Sequence, residues 1–234
     1  MDLKEEDILG AGIGRHWYYR SKAAALRRMV GGLAPRRILD VGAGSGFFSR
    51  HLLTEAGAQS ALCVDIGYAS DCDDSEGGKP VLYRRDTGPT DCDLVLMMDV
   101  LEHVDDDRGL VHHYAAKVPA GAHFLVTVPA FRFLWSGHDV FLEHKRRYRL
   151  SEIEMAMRDA GLQVVRGAYY FGFVFPLAAA VRLATRDATE PRSSLKSHGA
   201  LTNGILTAVC AAELPLLPIN RLAGLSAFVL ARKP

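Results

Sequence analysis

Features that would place this chain outside the cell, in a bilayer or on a polyanion are scarce. Its four cysteines (Cys63, Cys72, Cys92, Cys210) show no CxxC pairing and no regular spacing. A reduced, intracellular protein is the simplest account. Charge of one sign is also missing. Lys+Arg total 28 against 27 Asp+Glu, a net charge of +1, so no global field points to nucleic acid. No apolar run reaches about 18 residues without a polar interruption, so no spanning helix is expected. The opening MDLKEEDILG is acidic and lacks an apolar h-region, so no signal peptide is expected. The expectation is a cytoplasmic protein, with peripheral attachment to a membrane left open. A chain of 234 residues can bury the core of one α/β domain with an elaboration.

What is present is concentrated in Arg37 to Phe48, RILDVGAGSGFF. Ile38, Leu39 and Val41 read as a buried parallel strand. Gly42, Gly44 and Gly46 follow on alternate positions, and residues without Cβ let a backbone turn sharply and approach a ligand. Two common nucleotide loops do not fit. The dinucleotide fingerprint GxGxxG would need glycine where Phe47 stands, and no Lys-Ser/Thr pair ends the loop as in a P-loop. Asp40, two residues before Gly42, would repel a pyrophosphate but suits a ligand with ammonium and sulfonium charge. A second apolar strand, SALCVDI over residues 60–66, ends in Asp65 about 20 residues on, where an acid commonly accepts ribose hydroxyls. Beyond a weak third strand over 81–85, a strong buried strand, DLVLMM over 93–98, runs into DVLEHV, Asp99 to Val104.

In this order the glycine loop and DVLEHV resemble motif I and the EVLEHV segment of the class I S-adenosylmethionine-dependent methyltransferase superfamily. The resemblance covers most of Arg37 to Pro129, and the rest more loosely. It implies an α/β fold, a Rossmann-like sheet of seven strands ordered 3-2-1-4-5-7-6 with strand seven antiparallel. It implies S-adenosyl-L-methionine as cofactor, held by Asp40, Gly42, Ala43, Gly44 and Gly46, with Asp65, Ile66, Asp86 and Asp99 as further contacts. Arg15 to Arg20, RHWYYR, resembles an N-terminal segment of the same superfamily. There Tyr18 would offer an aromatic face and Arg20 a partner for the ligand carboxylate. Packing of these aromatics onto the sheet is the other reading.

The whole of 1–234 is expected to be a single methyltransferase domain, with a lid helix within 1–35 and an apolar helical insert over 172–225. Residues 68–80 read as an exposed loop, and Ser151 with Glu154 as the capping box of a helix ending near Ala160. The insert joins Phe173–Leu183 and Leu201–Leu217, with Arg182, Arg186, Arg192 and Lys196 in and between them. It would cover the sheet edge or form a homodimer interface, or else contact a membrane or an apolar acceptor.

Methyl transfer from a sulfonium is an in-line displacement, so alignment dominates and an ordinary hydroxyl acceptor also needs a base. Glu102 and His103 sit where the base is expected, and His138 or His144 offers an alternative. Trp135, Arg146, Arg147 and Tyr148 are the expected acceptor contacts, the arginines gripping an anionic group. A second reading places a divalent metal on Asp99, Glu102 and His103 with a downstream histidine, His138 or His144. That DxxEH cluster is similar to the ExxEH of small-RNA 2′-O-methyltransferases and, in part, of ubiquinone-pathway O-methyltransferases. Asp99 is shorter than the glutamate of that pattern, and no metal is favoured. The leading expectation is methyl transfer to a small-molecule acceptor, an oxygen by preference, with lipidic and phosphorylated acceptors included. A nucleic-acid or protein methyltransferase and a non-catalytic S-adenosylmethionine binder are the alternatives, and no nucleic-acid partner is expected.

Overall fold

The computed structural model describes residues 10–184 and 199–234. Arg186, Arg192, Lys196 and the acidic opening before Gly10 lie outside the described residues. Eight strands form one sheet: β1 (Arg37–Val41), β2 (Ser60–Val64), β3 (Cys72–Glu76), β4 (Lys79–Arg84), β5 (Leu94–Met98), β6 (His123–Pro129), β7 (Gln163–Tyr170) and β8 (Ser226–Arg232). They are ordered β3-β4-β2-β1-β5-β6-β8-β7. A parallel strand covered on both faces must be apolar throughout, and all five residues of β5 are buried at the centre of the sheet. β8 enters antiparallel between β6 and β7. The expected seven-strand order is therefore present, extended by one edge strand.

That strand, β3, corrects the reading of residues 68–80 as a loop. Gly77 and Gly78 have φ of 57° and 78°, the two left-handed positions of a tight hairpin turn, and β3 pairs antiparallel with β4. The acids of β3 have poor strand propensity but meet cations from neighbouring elements. Arg50 pairs with Asp74 and, at 3.0 Å, with Glu76, while Arg84 pairs with Asp73 at 2.7 Å.

Helices sandwich the sheet. On one face α1 (Trp17–Val30) and α2 (Phe47–Glu55) pack Leu26, Met29, Phe48 and Leu52 against Ile38, Leu94 and Leu96. On the other, α3 (Asp107–Lys117) and a helix over Leu150–Asp159 pack Val111, Ile153 and Met157 against Leu39, Val95 and Met97. The latter is α5, following a short α4 (Gly137–Phe141). Its start differs from the expected capping box. Arg149 is the N-cap and its N–H donates to Glu152 at 2.6 Å, while Glu154 accepts from Arg221 at 2.7 Å.

The insert supplies α6 (Phe175–Ala184) and α7 (Ala200–Glu213). α7 is tied to the start of α1, where Asn203 accepts the N–H of Trp17 at 2.7 Å and donates to the Arg15 carbonyl at 2.9 Å. The buried Glu213 accepts the N–H groups of Gly172 (2.7 Å) and Phe173 (3.1 Å), fixing the chain as it enters α6. Leu177 on α6 and Leu201 on α7 are 70% and 79% exposed, so the insert turns apolar side chains to solvent. Among the described residues no helix is long and apolar enough to cross a membrane.

Candidate active site

The carboxyl ends of β1, β2 and β5 converge on the glycine loop. At Gly42 (φ 65°) a Cβ would lie 2.7 Å from a Val100 methyl, and at Gly46 (φ 73°) 2.9 Å from the Tyr83 hydroxyl. Both positions therefore demand glycine for conformation and for space. Asp65, at the end of β2, accepts the N–H of Gly44 at 3.1 Å and of Gly67 at 2.9 Å. Tyr68 donates to the Gly44 carbonyl at 2.5 Å and Tyr83 to that of Ser45 at 2.7 Å. These contacts brace the loop from β2 and β4 and the turn after β2. Ile66, next to Asp65, is 85% exposed. Asp86 is exposed and ion-paired with Lys117 at 3.0 Å, which holds its carboxyl below the ordinary value. Arg20 is exposed on α1, while the Tyr18 ring stacks on Phe171 at 5.2 Å.

Asp40 lies beneath the loop rather than on its surface. It is 1% exposed and accepts the Ser49 hydroxyl at 2.6 Å. Burial pushes its carboxyl up to about 6. An unfolded aspartate loses its proton near ~3.9, so the folded state binds more protons between pH 4 and 6 and stability falls as pH rises through that window. Asp40→Asn removes the titration. The variant should gain about 2 kcal/mol on the wild type between pH 4 and pH 7 in denaturant unfolding. Parallel stability curves for the two proteins would contradict this.

The end of β5 carries the second group. Asp99, with a left-handed φ of 56°, accepts the Thr127 hydroxyl at 3.1 Å and forms an ion pair with the fully buried Lys22 of α1. Lys22 also donates to the Tyr18 hydroxyl at 3.2 Å. Burial opposes the ammonium, yet Asp99, Tyr18 and Glu102 outweigh it and hold Lys22 above its ordinary range. Sequence reasoning missed Lys22 because a helical lysine reads as solvated. The signal was there, since Tyr19, Lys22, Leu26 and Met29 share one stripe of α1.

Glu102, on the single turn Leu101–His103, is fully buried and neither carboxylate oxygen has a hydrogen-bond partner among the described residues. Burial first, and the Asp99 charge second, push its carboxyl well above the ordinary value. The rings of His103 and His144 lie 4.8 Å apart. His144 Nδ1 is 3.0 Å from Asp139, itself buried and gripped by Arg147 through Nε (2.6 Å) and Nη2 (3.0 Å) and by the Ser136 N–H (2.9 Å). Candidate ligand atoms of Glu102, His103 and His144 lie within 4.8 Å of one another. Asp99 is not part of that cluster. His138 stands with its ring 6.5 Å from His144, and burial together with Arg182 pushes its pKa down to about 3.

Two of the expected acceptor contacts are used inside the protein. Arg147 is buried and also donates to the Ala130 carbonyl at 3.0 Å, so it positions Asp139. The buried Tyr148 hydroxyl lies 2.8 Å from Asp107 and 3.1 Å from the Leu101 carbonyl. Arg146 donates to the carbonyls of Val104 and Asp105. Trp135 borders a cavity beside this loop.

The fold, with a strand, glycine loop and helix followed by an acid at the end of the second strand, defines a class I S-adenosylmethionine-dependent methyltransferase. A family model described as a methyltransferase domain matches residues 15–166, and the chain belongs to that family. The ubiquinone biosynthesis O-methyltransferase of Pseudomonas savastanoi pv. phaseolicola is 30% identical over 157 residues, 57% of this chain and 67% of the relative. That of Photorhabdus laumondii is 32% identical over 158 residues, covering 58% and 65%. The matched region thus spans about two thirds of these relatives. Among solved structures, a SAM-dependent methyltransferase from Archaeoglobus fulgidus superposes with a TM-score of 0.56 at 17% identity, covering 99% of this chain and 98% of that one.

Proposed function

We propose that this protein transfers the methyl group of S-adenosylmethionine to a hydroxyl of a small-molecule acceptor, with His144 as the base. The observation that carries the reading is the Asp139–His144 pair beside Glu102 and His103 at the carboxyl end of β5. Asp139 accepts Nδ1–H, which leaves Nε2 of a neutral imidazole to take the hydroxyl proton. The acceptor oxygen bonds to the methyl carbon as the carbon–sulfur bond breaks, and S-adenosylhomocysteine leaves as a neutral thioether. In this reading Asp65 takes the ribose hydroxyls, Ile66 packs on the adenine, and the glycine loop approaches the rest of the donor. The curated relatives' shared name, an O-methyltransferase, supports oxygen as the accepting atom. The near-neutral net charge argues against a nucleic-acid acceptor. Methyl-labelled cofactor incubated with a metabolite extract should label a hydroxyl-derived ether; label on nitrogen or sulfur would overturn the assignment.

One observation favours a second reading in which a divalent metal is bound. A buried carboxyl with two unpartnered oxygens is costly unless it holds a proton or a cation, and Glu102 faces two histidines. Glu102, His103 and His144 would be the ligands, with Asp139 orienting His144 from behind. Two imidazoles and one carboxylate suit a first-row transition ion. When bound, such an ion supplies Lewis acidity that makes the acceptor hydroxyl easier to deprotonate. Calorimetry with Mn²⁺ should then show one site that Glu102→Gln weakens at least about tenfold. Activity that survives both EDTA and Glu102→Gln removes the metal from the account.

A further inference from the structure

Between the 131–149 segment and the starts of α3 and α5 lies a cavity of about 1510 Å³. Its wall holds six cationic side chains and two acidic ones. Both acids are already engaged, Glu152 by the Arg149 N–H and Asp107 by Tyr148. Four of the cations are engaged as well. Arg147 is held by Asp139, Arg146 by main-chain carbonyls, Arg108 by Asp159 at 2.8 Å, and Lys145 by Asp105. Arg132 and Arg149 remain. Both are exposed, and neither forms an ion pair among the described residues. Beside them Phe131, Phe133 and Trp135 make an aromatic wall, with Phe131 and Phe133 rings 5.5 Å apart.

A concave wall with surplus positive charge concentrates anions. A guanidinium fork matches the oxygens of a phosphate, and aromatic faces take an apolar body. Lys145, on the cavity wall, directly follows His144 in the chain. We propose that this cavity holds the phosphate group of the methyl acceptor, gripped by Arg132 and Arg149, with the acceptor's apolar part against the aromatic wall. The inference rests on the methyltransferase reading and adds the substrate class: a phosphate ester. The same chemistry occurs in a soluble ester and in a phospholipid headgroup.

Calorimetry with phenyl phosphate tests it, alongside S-adenosylhomocysteine as a separate titration and phosphatidylglycerol vesicles in co-sedimentation. The wild type should bind phenyl phosphate, more weakly as salt rises, and Arg132→Ala/Arg149→Ala should weaken it at least about tenfold. The double lysine variant, which keeps the charge but loses the fork, should fall between the two. S-adenosylhomocysteine affinity should stay within about twofold in both variants, which shows that they fold and keeps the donor site out of the result. Binding of vesicles that the alanine pair abolishes assigns the phosphate to a headgroup; binding of phenyl phosphate alone assigns it to a soluble ester. If neither binds, or if the alanine pair binds as the wild type does, the cavity proposal is overturned. Loss of S-adenosylhomocysteine binding in the wild type would instead overturn the methyltransferase reading beneath it.

Discussion

His144→Ala is expected to slow methyl transfer by about 10²–10⁴-fold, the range of a positioned general base, while S-adenosylhomocysteine affinity stays within about twofold. The two effects separate because the donor loop is built from β1, β2 and Asp65, whereas His144 is held by Asp139 on a different segment. Asp139→Asn should give a smaller loss of rate together with a lower melting temperature. An amide offers one acceptor where the carboxylate now meets Arg147, His144 and the Ser136 N–H. The readout is the initial rate of label transfer from methyl-labelled cofactor into a metabolite extract. A His144→Ala rate within threefold of the wild type would show that the proton goes elsewhere.

Lys22→Met is expected to destabilise the fold by up to about 3 kcal/mol, because Lys22 is fully buried while Asp99, a quarter exposed, keeps access to water once its counter-charge is gone. For a chain of this size that corresponds to a fall of up to roughly 12 °C in melting temperature. Methionine fills the same volume without the ammonium, so Asp99 loses its counter-charge and keeps only the Thr127 hydroxyl. Lys22→Arg should not restore the wild-type value, because a planar fork needs more room than the enclosed ammonium. Adding Asp99→Asn to Lys22→Met should recover part of the loss. It removes the stranded charge, and asparagine tolerates the left-handed backbone at this position. A single-variant melting temperature within 2 °C of the wild type would mean that the pair contributes little to holding α1 on the sheet.

Much of the donor side could be read from residue order alone, because its determinants are local. Ile38 to Phe48 carries its strand, its turn and its helix start within a dozen positions, and Asp99 to Val104 directly extends a wholly apolar strand. β3 could not be read so, since its Asp, Ser and Glu residues form a strand only when Arg50 and Arg84 arrive from α2 and β4. Lys22 and Asp99 are 77 residues apart, and nothing local links them. Asp139 had a local signal, the Ser136-x-x-Asp139 capping pattern, but its partners Arg147 and His144 gave it a role only once the loop had closed. The same closure drew Arg147 and Tyr148 inward, away from the acceptor role their charge and ring suggested.

The loop from Asp40 to Gly46, pinned by Asp65, is proposed to hold the methyl donor. Titration of the purified protein with S-adenosylhomocysteine in a calorimeter tests it most directly. One site per chain is expected in the wild type, and an affinity at least about 100-fold weaker in Asp65→Ala, which loses the Gly44 anchor and the carboxylate proposed to accept the ribose hydroxyls. No binding by the folded wild type, or equal binding by the two proteins, would contradict it.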